Sequence, residues 1–169
     1  KIKTVPGRLE CVGNLKNNSK IIVDFAHTPD ALKQTLIAIK KQFNKEIVIV
    51  FGCGGERDKT KRFVMGKVAS QYCRKVFVTD DNPRNENPKK IRKELSKNIS
   101  KNKLFNIGNR TLAIKKAILN TNPREIVLIA GKGHEEKQIY KNKILNISDK
   151  KIVKKINIKN KIKSTIDQK

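Results

Sequence analysis

The sequence contains no tryptophan and only two tyrosines and six phenylalanines, so few aromatic side chains are available to stack on nucleic-acid bases. Its three cysteines (Cys11, Cys53 and Cys73) are widely spaced and form no CxxC or CxxH pair. This pattern argues against a disulfide framework and a zinc site, and it predicts a reducing, cytoplasmic location. No apolar run is much longer than residues 46–51, which excludes a membrane-spanning helix of about 20 residues.

Acidic residues are also scarce, since 15 Asp and Glu stand against 40 Lys and Arg, giving a formal net charge of +25. The cations are 32 lysines and 8 arginines, scattered through every segment and accompanied by 22 isoleucines and 17 asparagines. This composition is typical of a drift toward AT-rich codons and favours solvated surfaces over a dedicated nucleic-acid interface. A basic nucleic-acid-binding module stays open as an alternative, because so large a charge attracts polyanions.

Short β-branched segments alternate with amphipathic ones, which predicts strands buried on both faces of a parallel sheet and helices covering that sheet. The expected strands span residues 21–25, 47–51, 76–79 and 126–130. Helices are expected to begin after Thr28 and Asn87, each followed by proline, and to cover residues 60–72 and 110–119. A last helix, capped by Ser148, is expected to run through Ile156. In the helix over 110–119, the side chains expected to face the core are Leu112, Ile114, Ala117 and Ile118. The pattern indicates an α/β fold with three α/β/α layers and a mostly parallel, Rossmann-like sheet.

The length suits a single domain, so we expect residues 1–169 to form one unit. Residues 1–10 are expected to lead in from an upstream domain, and residues 157–169 to form a frayed tail. The chain opens with Lys1 and lacks a hydrophobic signal region, which predicts a piece of a longer polypeptide.

Polar residues follow each of the four predicted strands, where ligands bind in open α/β sheets. The four segments are residues 24–30 (DFAHTPD), 52–58 (GCGGERD), 80–84 (DDNPR) and 131–135 (GKGHE). They hold both histidines of the chain together with glycines, carboxylates and arginines. The chain has no GxxxxGK[ST] loop, dinucleotide fingerprint, HExxH or GxSxG motif. We therefore expect a rim that binds a charged small molecule but lacks the machinery for catalysis by itself.

The same four segments, with Pro6–Glu10 before them, closely resemble the C-terminal domain of the Mur ligases. The resemblance runs in order from Pro6 to Asp149, and Phe25 stands where that family commonly has tyrosine. It implies an ATP-dependent, ADP-forming amide ligase of peptidoglycan synthesis. In that family ATP converts a substrate carboxylate to an acyl phosphate, which the incoming amino group attacks. ATP and Mg²⁺ would be bound mainly by a central domain missing here, so the isolated chain is expected to be inactive.

The resemblance also implies roles for individual residues. Arg8 would touch the ATP phosphates and Asp24 would reach the nucleotide near its ribose, while His27 and His134 would support the site. The residues that match the positions holding the incoming amino acid are Arg57, Asp81, Asn82, Pro83, Arg84, Gly131 and Glu135.

In the resembled family the Asp-Asn-Pro-Arg loop accompanies users of meso-diaminopimelate, so the resemblance implies this amino acid. The chemistry agrees, because Arg84 can bind the distal carboxylate that lysine lacks. The acceptor would be UDP-N-acetylmuramoyl-L-Ala-D-Glu, bound with ATP by upstream domains of the same chain. We expect a monomer with no specific nucleic-acid or membrane partner. A lysine-adding ligase and a folylpolyglutamate-type ligase stay open as alternatives, although neither is expected to share this loop.

Overall fold

The computed structural model describes residues 6–15 and 18–156. Within them the elements, in chain order, are β1 (Glu10–Asn14), β2 (Lys20–Asp24), α1 (Pro29–Phe43), β3 (Glu46–Phe51), α2 (Thr60–Tyr72), β4 (Lys75–Val78), α3 (Pro88–Ser96), β5 (Leu104–Asn106), α4 (Arg110–Leu119), β6 (Glu125–Ala130), β7 (Lys137–Tyr140) and β8 (Lys143–Asn146). A last helical stretch covers residues 149–156.

A six-stranded sheet forms the centre of the fold, with strand order β1-β2-β6-β3-β4-β5. All neighbouring pairs are parallel except β1 with β2, which is antiparallel. The strands β7 and β8 form a separate antiparallel hairpin. This arrangement confirms the predicted α/β class with a mostly parallel sheet.

Side chains alternate between the two faces of each central strand, which produces two apolar cores. In β3, Ile47 and Ile49 belong to the core under α1, α2 and α3, whereas Val48 and Val50 belong to the core under α4 and residues 149–156. The sheet is therefore covered on both faces, as the alternating sequence pattern predicted.

The predicted helix boundaries are confirmed for α2 and α4, and α1 and α3 begin at the predicted prolines. Asn87 caps α3 by accepting hydrogen bonds from two backbone N–H groups. The prediction that Leu112 faces the core is wrong, because its side chain is 42 % exposed. Leu112 lies two residues before the buried Ile114, or about 200° around the helix, so it points away from the sheet.

Four strands, β1, β5, β7 and β8, were not predicted from the sequence. The strand β1 is interrupted by an irregularity between Cys11 and Gly13, and β5 has only three residues, so neither shows a sustained period of two. The hairpin β7–β8 carries lysines and polar residues rather than an apolar run.

The expected lead-in overlaps β1 at Glu10, and the expected tail over 157–169 lies outside the described residues. Among the helices that the structure describes, none has the length and apolar character needed to cross a membrane.

Candidate amino-acid-binding site

The loops after β2, β3, β4 and β6 surround a cavity of about 210 Å³ at the carboxyl edge of the sheet. Its lining residues come from all four loops and the start of α2: Phe25, His27, Gly52, Cys53, Gly54, Arg57, Lys61, Asp81, Asn82, Arg84, Gly131 and Glu135. The parallel strands bring these loops together because their carboxyl ends lie at one edge. The predicted convergence of the four segments is thus confirmed in the geometry.

Most of the residues singled out in the sequence line this cavity, and the others lie around it. Those in the lining are His27, Arg57, Asp81, Asn82, Arg84, Gly131 and Glu135. Those outside the lining are Arg8, Asp24, Pro83 and His134. Pro83 is buried, and a Cβ atom placed on Gly55 would lie 1.9 Å from its carbonyl oxygen, so these two loops are in close contact.

Arg84 is held in an unusual backbone conformation at the wall of the cavity. Its φ of 53° lies in the left-handed region, which costs free energy for a residue with a Cβ atom. Its backbone N–H donates to the carbonyl of Ile139 at 3.0 Å, and Nη1 donates to the carbonyl of Gly55 at 2.9 Å. These contacts fix one edge of the guanidinium and leave its other donors for a ligand.

The two carboxylates of the cavity differ in their surroundings. The carboxylate of Asp81 makes no hydrogen bond or salt bridge to any residue in the described part of the chain, although Asp81 is only 9 % exposed. Gly131, at φ 105°, lets this carboxylate come close, since a Cβ atom there would lie 3.1 Å from Asp81 Oδ2. Asp81 therefore presents a buried carboxyl group without a hydrogen-bond partner among the described residues to the cavity, which is a favourable place for a cationic ligand group.

Glu135 is the second carboxylate, and its Oε2 atom is already anchored. Asn82 Nδ2 donates to it at 3.0 Å and Lys132 Nζ donates at 2.9 Å. Partial burial acts to raise the pKa of Glu135, but the hydrogen bond and the charge of Lys132 outweigh this effect and lower the pKa below its usual value. Glu135 is therefore anionic at neutral pH.

Asp24 and Arg8, which the resemblance assigned to the nucleotide side, lie beside the cavity in ordered contacts. Asp24 Oδ2 accepts from the backbone N–H of Leu9 at 2.7 Å, and Oδ1 accepts from that of Ala26 at 2.8 Å. The guanidinium of Arg8 lies 5.3 Å from the centre of the Phe25 ring, within the range of a cation–π contact. Asp24 thus anchors the segment that carries Arg8 at the edge of the rim.

Both histidines contact the same aromatic ring. His134 stacks on Phe25 with ring centres 5.8 Å apart, and His27 approaches Phe25 edge-on at 4.7 Å. His27 lines the cavity, whereas His134 is exposed outside it.

Sequence analysis missed several residues that build the site. Lys61 lines the cavity and donates to the carbonyl of His27 at 3.1 Å. Lys132 lies fully buried below the loops, and the hairpin strand β7 supports the Asp-Asn-Pro-Arg loop through the backbone of Ile139. The position of Lys132 inside the Gly-Lys-Gly-His-Glu segment was a usable signal, but nothing local marked the hairpin.

Two further observations concern candidate metal ligands and a second groove. In the part of the chain that the structure describes, no three His, Cys, Asp or Glu side chains lie close enough to hold a metal ion. A larger groove of about 600 Å³ lies at the opposite edge of the sheet, between Lys40 and Arg124, and contains none of the predicted site residues. The predicted site residues therefore lie in or around the smaller, four-loop cavity rather than in this groove.

Comparison with known proteins agrees with this geometry. Residues 7–133 match the family described as Mur ligase, glutamate ligase domain. The chain belongs to the Mur ligase family. This Mur ligase domain is 51 % identical over 138 residues to the UDP-N-acetylmuramoyl-L-alanyl-D-glutamate--2,6-diaminopimelate ligase of Buchnera aphidicola subsp. Schizaphis graminum. The alignment covers 81 % of this chain and 28 % of the relative.

Solved structures give the same relationship. A UDP-N-acetylmuramoyl-L-alanyl-D-glutamate--2,6-diaminopimelate ligase superposes with a TM-score of 0.81 at 35 % identity, covering 91 % of this chain and 32 % of that one. A bifunctional folylpolyglutamate synthase/dihydrofolate synthase from Yersinia pestis superposes with a TM-score of 0.61 at 15 % identity, covering 76 % and 28 %, which indicates a shared fold alone. The Mur ligase domain thus spans about a third of the length of such relatives.

Proposed function

We propose that this Mur ligase domain binds meso-diaminopimelate for an ATP-dependent, ADP-forming ligase that adds it to UDP-N-acetylmuramoyl-L-Ala-D-Glu in peptidoglycan synthesis. The observation that carries the proposal is the pairing, in one small cavity, of the unpartnered Asp81 carboxylate with the fixed Arg84 guanidinium. Diaminopimelate carries an ammonium and a carboxylate at each end, so it needs both kinds of group at both ends of its site.

Charge complementarity supports an assignment of the contacts. Asp81 and the free oxygen of Glu135 are suited to ammonium groups, whereas Arg57 and Arg84 are suited to carboxylates. A guanidinium can bind the distal carboxylate with two parallel hydrogen bonds. Lysine has no such carboxylate and would leave Arg84 unpaired in a partly buried wall, which disfavours it as the substrate.

The remaining machinery would belong to other domains of the same ligase. Arg8 and Asp24 would contribute from the edge of the rim to a nucleotide site, with ATP and its Mg²⁺ held mainly by a central domain. The part of this chain is to bind the amino acid, orient its amino group toward the activated carboxylate and exclude competing substrates. We further propose that the ligase is a cytoplasmic monomer.

The test replaces Arg84 by alanine in the complete ligase that carries this domain and measures incorporation of diaminopimelate and of lysine. Losing one member of a desolvated charge pair costs about 2–5 kcal/mol. This corresponds to a fall of about 30- to 5,000-fold in kcat/KM for diaminopimelate. Arg84→Lys keeps the charge but loses the two-pronged geometry, so its loss should be intermediate.

The matched control is Arg124→Ala, which removes an exposed arginine at the opposite edge of the sheet and should leave kcat/KM unchanged. Equal incorporation of lysine and diaminopimelate by the unmutated ligase would refute the substrate assignment. Incorporation of glutamate onto a folate would point to the folylpolyglutamate alternative instead.

A further inference from the structure

Lys132 lies below the cavity and its side chain is fully buried. Its ammonium donates to oxygens of three residues: Asn82 Oδ1 at 3.2 Å, Glu135 Oε2 at 2.9 Å and the carbonyl of Lys137 at 2.7 Å. An ammonium has three N–H donors, so these three contacts use its full hydrogen-bonding capacity. Burial of a lysine is costly unless such partners compensate for the lost water.

The contact with Asn82 determines which way its amide points. Asn82 Oδ1 accepts a hydrogen bond from Lys132 and another, at 3.0 Å, from the backbone N–H of Ile139. Both lone pairs of this oxygen are therefore engaged. The amide nitrogen must therefore occupy the other position, from which it donates to Glu135 Oε2 at 3.0 Å. Without a cation at position 132, one of the two contacts that hold this orientation is lost.

The contact with Glu135 determines where its carboxylate lies. Oε2 receives hydrogen bonds from both Lys132 and Asn82, whereas Oε1 makes none within the described residues. The carboxylate is thus held by one oxygen, and the other is available at a cavity wall.

We propose that Lys132 is a positioning residue for amino-acid binding, which fixes the Glu135 carboxylate and the Asn82 amide in the arrangement that receives an ammonium group of the substrate. This inference rests on the proposed function and deepens it. Lys132 itself does not line the cavity, so it acts through these two neighbours rather than by touching the substrate.

The test is Lys132→Met in the complete ligase, with steady-state kinetics for each substrate. Each hydrogen bond to a charged group contributes about 1.5–3 kcal/mol. Losing one such contribution to substrate binding corresponds to a rise of about 10- to 150-fold in KM for diaminopimelate. KM for ATP should stay within about threefold, because Arg8 and Asp24, the residues proposed for the nucleotide side, make no hydrogen bond with Lys132, Asn82 or Glu135. Lys141→Met, in the exposed turn of the hairpin, is the matched control and should leave all constants unchanged.

Two readouts separate positioning from a general structural role. Removing Lys132 takes away the charge that lowers the pKa of Glu135, so the acid limb of the kcat/KM profile should move to higher pH. In a Glu135→Gln background, Lys132→Met should raise KM much less than it does alone, because the two residues act as one unit. The charged and titratable groups that face Glu135 are Lys132 and Arg110, with Asp81, Arg57, Arg84, Lys61 and His27 around the cavity.

The outcomes are distinct. An unchanged KM for diaminopimelate and an unmoved acid limb in a folded Lys132→Met ligase would overturn the proposal. If that variant does not fold, the test uses Lys132→Arg, which retains a buried cation. The acid limb of its kcat/KM profile should coincide with that of the unmutated ligase. A shift of this limb would overturn the proposal. If the unmutated ligase uses a different amino acid, the proposed function fails, but the same measurements with that amino acid still test Lys132.

Discussion

The buried pair between Arg110 and Asp149 offers a sharp test of what holds the helices on one face of this domain to the sheet. Both side chains are fully buried, and Nε and Nη2 of Arg110 each donate to one oxygen of Asp149 at 2.8 Å. Nη2 also donates to the carbonyl of Ala130, the last residue of β6 before the candidate site. The pair therefore connects α4, the end of β6 and the helical stretch over 149–156.

Asp149→Asn should destabilise the domain strongly, because it removes the counter-charge to which the buried Arg110 guanidinium is hydrogen-bonded, and Asp81 and Glu135 attract that guanidinium without hydrogen bonds. Breaking a buried pair by removing one partner costs about 3–5 kcal/mol. For a domain of this size each kcal/mol corresponds to about 2–4 °C, so the thermal midpoint should fall by about 6–20 °C. Urea unfolding followed by far-UV circular dichroism should show a lower midpoint at an unchanged slope.

The matched control is Glu136→Gln, which removes one partner of an ion pair to the same helical stretch. Glu136 and Lys151 lie 2.9 Å apart, but their side chains are 59 % and 67 % exposed. Water screens such a pair, so its loss should cost no more than about 1 kcal/mol. If Asp149→Asn costs no more than Glu136→Gln, the reasoning from burial is wrong.

Two further outcomes are expected. Hydrogen bonds from Arg62 lower the pKa of Glu86 to about 2, so the stability from this pair is present above the ordinary glutamate pKa of about 4.5 and is lost as pH falls toward 2. Glu86→Gln should therefore reduce the free energy of unfolding at pH 7, and the difference from the unmutated domain should vanish near pH 2. An equal loss at both pH values would contradict this. The purified 169-residue chain should show no ATP turnover in a phosphate-release assay, because Arg8 and Asp24 can only supplement a phosphate site located elsewhere; turnover that persists after removal of contaminants would disprove it.

The sequence determined the layered α/β fold because its signals are local. Apolar segments bounded by Gly and polar residues specify buried strands, and Thr28 and Asn87 with their following prolines specify two helix starts. Since parallel strands end at one edge, the order of elements also predicted that the four polar loops would meet. Recognising them as a Mur ligase site depended on the whole set of motifs rather than on any one of them.

Only the tertiary structure decided which side chains are free and which are engaged. Asp81 and Asp24 are both acidic residues at strand ends, yet Asp81 faces the cavity unpartnered while Asp24 binds the backbone of Leu9 and Ala26. The role of Lys132 likewise depends on contacts with residues 50 positions away in sequence, such as Asn82. Local pattern carries no information about such contacts, because they arise from the packing of a hairpin and loops that are distant along the chain.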